Sequence, residues 1–132
     1  MTREAIHTDA APAAIGPYSQ AIRAGGFVFT AGQVGVDPAR KALAEGAGGQ
    51  ATQALANLAA ILGAAGTGLD RVVKTTIFLA DIADFAEVNQ AYEAAFSTPF
   101  PARSTFAVRA LPMGALVEIE CVALAGDGPE PS

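Results

Sequence analysis

Leu116-Val117-Glu118-Ile119-Glu120-Cys121-Val122-Ala123-Leu124 is the stretch on which the fold turns. Its period-two alternation is that of a strand, sending Val117, Ile119, Cys121 and Ala123 to one face and Leu116, Glu118, Glu120, Val122 and Leu124 to the other. Both faces are largely apolar, so both call for a cover. On the first, Cys121 reads as a small hydrophobe of the core. On the second, two carboxylates sit among aliphatics. If another subunit closed over them, either would lose water and move its pKa up, toward useful proton chemistry. Interface salt bridges account for the two glutamates at least as well.

Working outward, Ser104 to Ala110 reads as a neighbouring strand, joined to the first by a turn through Pro112-Met113-Gly114, and Thr98-Pro99-Phe100-Pro101 forbids helix before it. Upstream, a helix opens at Asp84, whose carboxylate is expected to cap it, with Glu87 adding charge near its positive end. Phe85, Val88, Tyr92 and Phe96 form its expected buried stripe. Val72 to Leu79, rich in β-branched residues, reads as a covered strand. From Gln50 to Ala65 the recurrence of Ala51, Leu55, Leu58 and Leu62 predicts an amphipathic helix ended by Gly66 and Gly68.

Asp37 to Gly49 lacks a steady period and reads as a loop. Ser19 to Val34 reads as two strands around Ala24-Gly25-Gly26-Phe27, the second of them Phe27 to Ala31. An extra strand is possible near Glu4 to His7, and residues 126–132 read as a frayed tail. The order predicts an α+β fold, a mixed sheet with two helices packed across it, in one domain over 1–132 with its ordered core at 11–125.

Charge and composition narrow the chemistry. A net charge of −5 with Lys+Arg 8 lacks the basic footprint of nucleic-acid or anionic-membrane binders. Cys121 is the single cysteine, and the start of the chain lacks a secretory pattern, so a reducing cytoplasm is expected. His7, the one histidine, reads as an exposed strand-edge residue, which leaves histidine-based nucleophilic devices and the usual zinc ligand sets without a member. The carboxylates are too scattered for a dedicated metal cage. Gly46, Gly48 and Gly49 lack the lysine and spacing of a phosphate loop.

What remains is carried by few residues. Arg103 follows Phe100-Pro101-Ala102 in a proline-stiffened corner, and its planar fork suits a bidentate grip on a carboxylate. From spacing alone, a salt bridge to a glutamate on the neighbouring strand explains it equally well. Arg109 reads as surface. Asn89 falls within a helix stripe, either as a structural hydrogen-bonder or as a pocket wall. Tyr18 follows the Gly16-Pro17 turn, with packing as its default role.

These residues lie in a familiar order. Ala13-Ala14-Ile15-Gly16-Pro17-Tyr18-Ser19-Gln20-Ala21, Thr30-Ala31-Gly32-Gln33, Val73-Lys74-Thr75-Thr76, Asp84-Phe85-Ala86-Glu87-Val88-Asn89, Pro101-Ala102-Arg103-Ser104, Leu111-Pro112 and Glu118-Ile119-Glu120 make the chain resemble the Rid (YjgF/YER057c/UK114) family from about Ala11 to Ala125. The resemblance implies a chorismate-mutase-like fold, assembled as a homotrimer around a central barrel with clefts between subunits. It also implies deamination of reactive enamines and imines, 2-iminopropanoate and 2-iminobutanoate, to 2-keto acids and ammonia, with no cofactor and no metal.

By position the resemblance makes Arg103 the anchor of the substrate carboxylate and Glu118 the group that positions or deprotonates the attacking water. Tyr18, Asn89 and Thr105 would line the cleft, and Ala31 stands at a ligand-facing position. Ala31 replaces a common serine and Thr105 a cysteine of several well-known members, which opens the question of the substrate side chain. A non-catalytic trimeric binding or chaperone-like module is the rival class. Relatives acting on aminoacrylate or aminomuconate are the rivals within the enzymes, and endoribonuclease action is disfavoured by the acidic charge.

Overall fold

The computed structural model describes residues 2–126; of the expected tail, all but Gly126 lies outside the described residues. The strands are β1 (Glu4–Ile6), β2 (Ala21–Ala24), β3 (Phe27–Thr30), β4 (Gln33–Val34), β5 (Val36–Asp37), β6 (Ala42–Leu43), β7 (Val72–Leu79), β8 (Ala102–Ala107) and β9 (Val117–Leu124), and the helices are α1 (Gly46–Ala64) and α2 (Phe85–Ala95). The main sheet runs β1-β2-β3-β9-β7-β8, with β4 continuing the β3 side of β9. All its pairs are antiparallel except β7 with β8, which the crossover through α2 makes parallel. The α+β expectation holds, and the extra N-terminal strand is real: β1 pairs with β2.

Local chemistry explains the elements. Gly25 and Gly26 sit at φ 60 and 84, the mirror-image turn that a two-residue hairpin needs, so β2 and β3 close tightly. Helix α1 ends in a left-handed glycine cap, with Gly66 at φ 83 and the Thr67 amide donating to the Leu62 carbonyl at 2.9 Å. Leu58, Ile61 and Leu62 from α1 are buried with Ile77, Leu79, Val117 and Ile119 from the sheet, and Val88 and Tyr92 of α2 join the same core. Polar ties fix α1 in place. The Asn57 amide donates to the Val36 carbonyl at 2.9 Å, and the Gln50 side chain accepts from the Leu116 amide at 2.8 Å.

Several expectations need correction. Residues 37–49 are not a plain loop, because β5 and β6 pair there and α1 begins at Gly46. Four residues earlier than expected, this start is stabilised from a distance: the Glu87 carboxylate accepts from the Gly48 amide at 2.7 Å. A Cβ at Gly48 would lie 2.9 Å from Glu87 Oε2, so the glycine serves close approach. Asp84 makes no side-chain cap for α2; Asp81 accepts instead from the Ala83 amide at 2.9 Å, in the turn before it. Phe85 leaves the expected buried stripe and is 39% exposed. β8 starts at Ala102 and ends at Ala107, so Arg103 lies inside the strand rather than ahead of it.

Candidate active site

Arg103 pairs in register with Thr75 of β7, and Thr75 with Cys121 of β9. Thr75 and Cys121 are buried on the helix side of the sheet, so Arg103 points to that side too. There it meets α2. Its Nη1 donates to Asn89 Oδ1 at 2.6 Å, and its guanidinium carbon lies 4.9 Å from the Tyr92 ring centroid and 5.5 Å from that of Phe85. A cavity of about 390 Å³ opens over it, walled by Asn89, Tyr92, Glu93, Phe100 and Pro101. Within the chain, Arg103 makes no salt bridge to Glu118 or Glu120, because β7 separates β8 from β9 and the two glutamates lie on the other face of the sheet. No ion pair engages Arg103 among the described residues.

Glu118 is built differently. Between β3 and β4 the chain bulges away from β9, and the Thr30 hydroxyl fills the gap by accepting from the Cys121 amide at 3.0 Å. The bulge lays Gly32 against Glu118, where an added Cβ would lie 2.5 Å from Oε2. Half-buried there, Glu118 has its carboxyl pushed above the usual range by loss of water and, second, by the negative charge of Glu120. On the opposite face of β9, burial in the core pushes the Cys121 thiol up to about 11, which keeps it neutral and fits its core reading. Glu118 faces a cavity of about 580 Å³ whose wall includes Tyr18, Gln20, Gly32, Lys41, Pro112 and Met113.

Tyr18, 53% exposed, stands on an N-terminal segment that Gln20 holds. The buried Gln20 amide donates to the carbonyls of Thr8 at 3.0 Å and Pro12 at 2.8 Å, and its oxygen accepts from the Thr8 amide at 2.7 Å. Thr105 is half-buried two residues beyond Arg103 and on its face of β8. Ala31 adjoins Gly32, its amide held by the Gln20 carbonyl at 2.9 Å. Neither residue lines either cavity.

The residues singled out by sequence thus form two clusters, Arg103 with Asn89 and Glu118 with Tyr18, on opposite faces of one sheet. A strand's alternation separates them: Val117 and Ile119 point to the core, so Glu118 points away from it. Gln20 and Gly32, beside Glu118 and Tyr18, were given no role from sequence, and Phe85 and Tyr92, beside Arg103, were read only as the buried stripe of α2. Gln20 and Gly32 do stand in the quoted blocks, and that was their only signal.

A family model described as Endoribonuclease L-PSP matches residues 8–125. The chain belongs to the Rid family. Within the Rid family, the protein named RutC family protein y4sK of Sinorhizobium fredii is 52% identical over 120 residues, 90% of this chain and 95% of that protein. The protein named 2-iminobutanoate/2-iminopropanoate deaminase of Bos taurus is 48% identical over 127 residues, 96% of this chain and 93% of that one. The crystal structure of RidA from the Antarctic bacterium Psychrobacter sp. PAMC 21119 superposes with a TM-score of 0.89 at 46% identity, covering 92% of this chain and 98% of that one. The Rid fold is therefore present nearly end to end.

Proposed function

We propose that this protein is a hydrolase that deaminates 2-iminopropanoate and 2-iminobutanoate to their 2-keto acids and ammonia. The observation that carries the reading is the 48% identity to the bovine 2-iminobutanoate/2-iminopropanoate deaminase across 93% of that protein. The geometry supplies a mechanism. Arg103 offers its unoccupied edge to the substrate carboxylate, holding the iminium carbon beside the cleft. Water bound to Glu118 attacks that carbon while Glu118 takes its proton, and a carbinolamine forms. Glu118 returns the proton to nitrogen, the C–N bond breaks as ammonia leaves, and the hydroxyl proton passes by way of Glu118 to the ammonia, giving the 2-keto acid and ammonium. Asn89 holds the arginine and Tyr18 closes the wall; Thr105 and Ala31, outside both cavities of the single chain, would come beside the substrate side chain only in an assembled cleft.

The two clusters require a second chain to meet. On the sheet face that carries Glu118, Phe29, Phe106, Phe27 and Leu124 are 45%, 53%, 38% and 37% exposed, an apolar patch of the kind that oligomers bury. A homotrimeric barrel with three intersubunit clefts covers this face and brings Glu118 of one subunit to Arg103 of the next. We place the work in the cytoplasm, as one domain on a small-molecule substrate without nucleic acid or membrane. No helix among the described residues is long and apolar enough to cross a bilayer, and the charge of −5 disfavours polyanions.

Generating 2-iminopropanoate in situ with an amino-acid oxidase and following its decay tests this. The wild-type protein accelerates decay, and Arg103→Ala lowers kcat/KM by about tenfold to a hundredfold, the worth of a charged hydrogen-bonded pair. No acceleration by the wild type sinks the assignment.

A further inference from the structure

We propose that Phe85 and Tyr92 are positioning residues for Arg103: the guanidinium lodges between their rings, so that the edge not engaged by Asn89 is presented to a carboxylate already oriented. The proposal rests on the reading of Arg103 as the substrate anchor. Phe85, Asn89 and Tyr92 share one face of α2 at spacings of four and three residues. Seven residues of helix rise about 10.5 Å, which leaves room for a flat cation between the two rings. The guanidinium carbon sits 4.9 Å from one centroid and 5.5 Å from the other, inside the range over which a ring face attracts a cation.

The rings are not equivalent. Tyr92 is 4% exposed, its hydroxyl 2.8 Å from Thr75 Oγ1 and its ring 4.5 Å from that of Phe96. Thr75 is also the register partner of Arg103. One buried threonine therefore references both the backbone of the arginine and the ring beneath its head. Phe85 has no comparable packing duty, which explains an aromatic side chain left at the surface at this place. Among the described residues, the single hydrogen bond of the Arg103 side chain is the one from Nη1 to Asn89. Nε, Nη2 and the second hydrogen of Nη1 are the donors left for a ligand. Freezing a long, flexible side chain in advance removes an ordering cost from binding, so the clamp acts on substrate affinity.

The test uses the full-length protein. Phe85→Leu removes a half-exposed ring and is expected to fold; it raises KM for 2-iminopropanoate by about three- to tenfold while kcat stays within about twofold. Phe85→Tyr restores KM. The Arg103 Nε–H resonance, shifted by the rings in the wild type, moves in Phe85→Leu and returns in Phe85→Tyr. Tyr92→Phe keeps its ring and gives a smaller rise in KM, since it loses only the tie to Thr75. Unchanged KM and an unmoved Nε resonance in Phe85→Leu overturn the clamp. So does a fall in kcat and Tm together at constant KM, which marks a structural role alone. Should the wild-type protein fail to accelerate imine decay, the deaminase reading is what fails. Titration with 2-ketobutanoate and the Nε resonance then decide the clamp: weaker binding by Phe85→Leu supports it, and equal binding overturns it.

Discussion

A carboxylate that must take a proton from water gains from a raised affinity for that proton, and burial beside Glu120 gives Glu118 this property. The acid limb of the kcat/KM profile, after correction for spontaneous hydrolysis, is expected above the ordinary carboxylate pKa of 4.5. In Glu120→Gln the repelling charge is gone and the limb moves to lower pH, without reaching the ordinary value because burial remains. A limb that stays in place removes Glu120 from the account. The raised pKa also has a stability sign. The folded protein holds the Glu118 proton more tightly than the unfolded chain, so this contribution is full below the ordinary pKa and is lost as pH rises through the folded value. Glu118→Gln is accordingly expected to melt no lower than wild type at neutral pH while losing kcat. At this scale strand alternation placed Glu118 on the face away from the core, but spacing alone left Arg103 and Glu118 open to plain salt bridges, and the roles proposed for them come from the family resemblance. Phe85 was not legible, because its partner lies across the sheet-helix interface and a helical aromatic reads first as core.

Among elements, the bulge between β3 and β4 governs where Glu118 points. A methyl at Gly32 meets the movable end of a side chain, so Gly32→Ala is expected to displace the carboxylate and depress kcat with little change in Tm. Equal losses of kcat and stability would instead mean that the backbone had moved. The start of α1 depends on Glu87 in the same way. Removing that acceptor by Glu87→Ala leaves the Gly48 amide without its cap and costs about 1 kcal/mol, readable in urea unfolding, and Glu87→Gln costs less. β7 and β9 were readable from composition and alternation, because β-branched residues crowd β7 and the buried Val117, Ile119, Cys121 and Ala123 alternate along β9. The glycine-rich entry to α1 was not readable, because the group that makes helix favourable there is contributed by α2 and no local propensity encodes it.

At the scale of the molecule, the proposed assembly completes a site whose groups lie on opposite faces of one sheet. Arg103→Ala and Glu118→Gln proteins, each impaired alone, are expected to regain activity beyond their sum when unfolded together and refolded, with about a quarter of the sites carrying both groups at random mixing. Recovery no greater than the sum of the separate proteins would place both groups in one chain's cleft. The sequence marked the apolar carboxylate-bearing face but not that Arg103 lies behind it, since which face β8 shows is set by its register with β7. The contact between Glu87 and Gly48 adds a matter of timing. The partners stand 39 positions apart, and Gly46, Gly48 and Gly49 make the first turn of α1 a poor helix by itself. That first turn leaves the ribosome before the residue that closes it, so the Gly48 amide is expected to gain full protection from hydrogen exchange only once α2 has docked, and to exchange faster in Glu87→Ala.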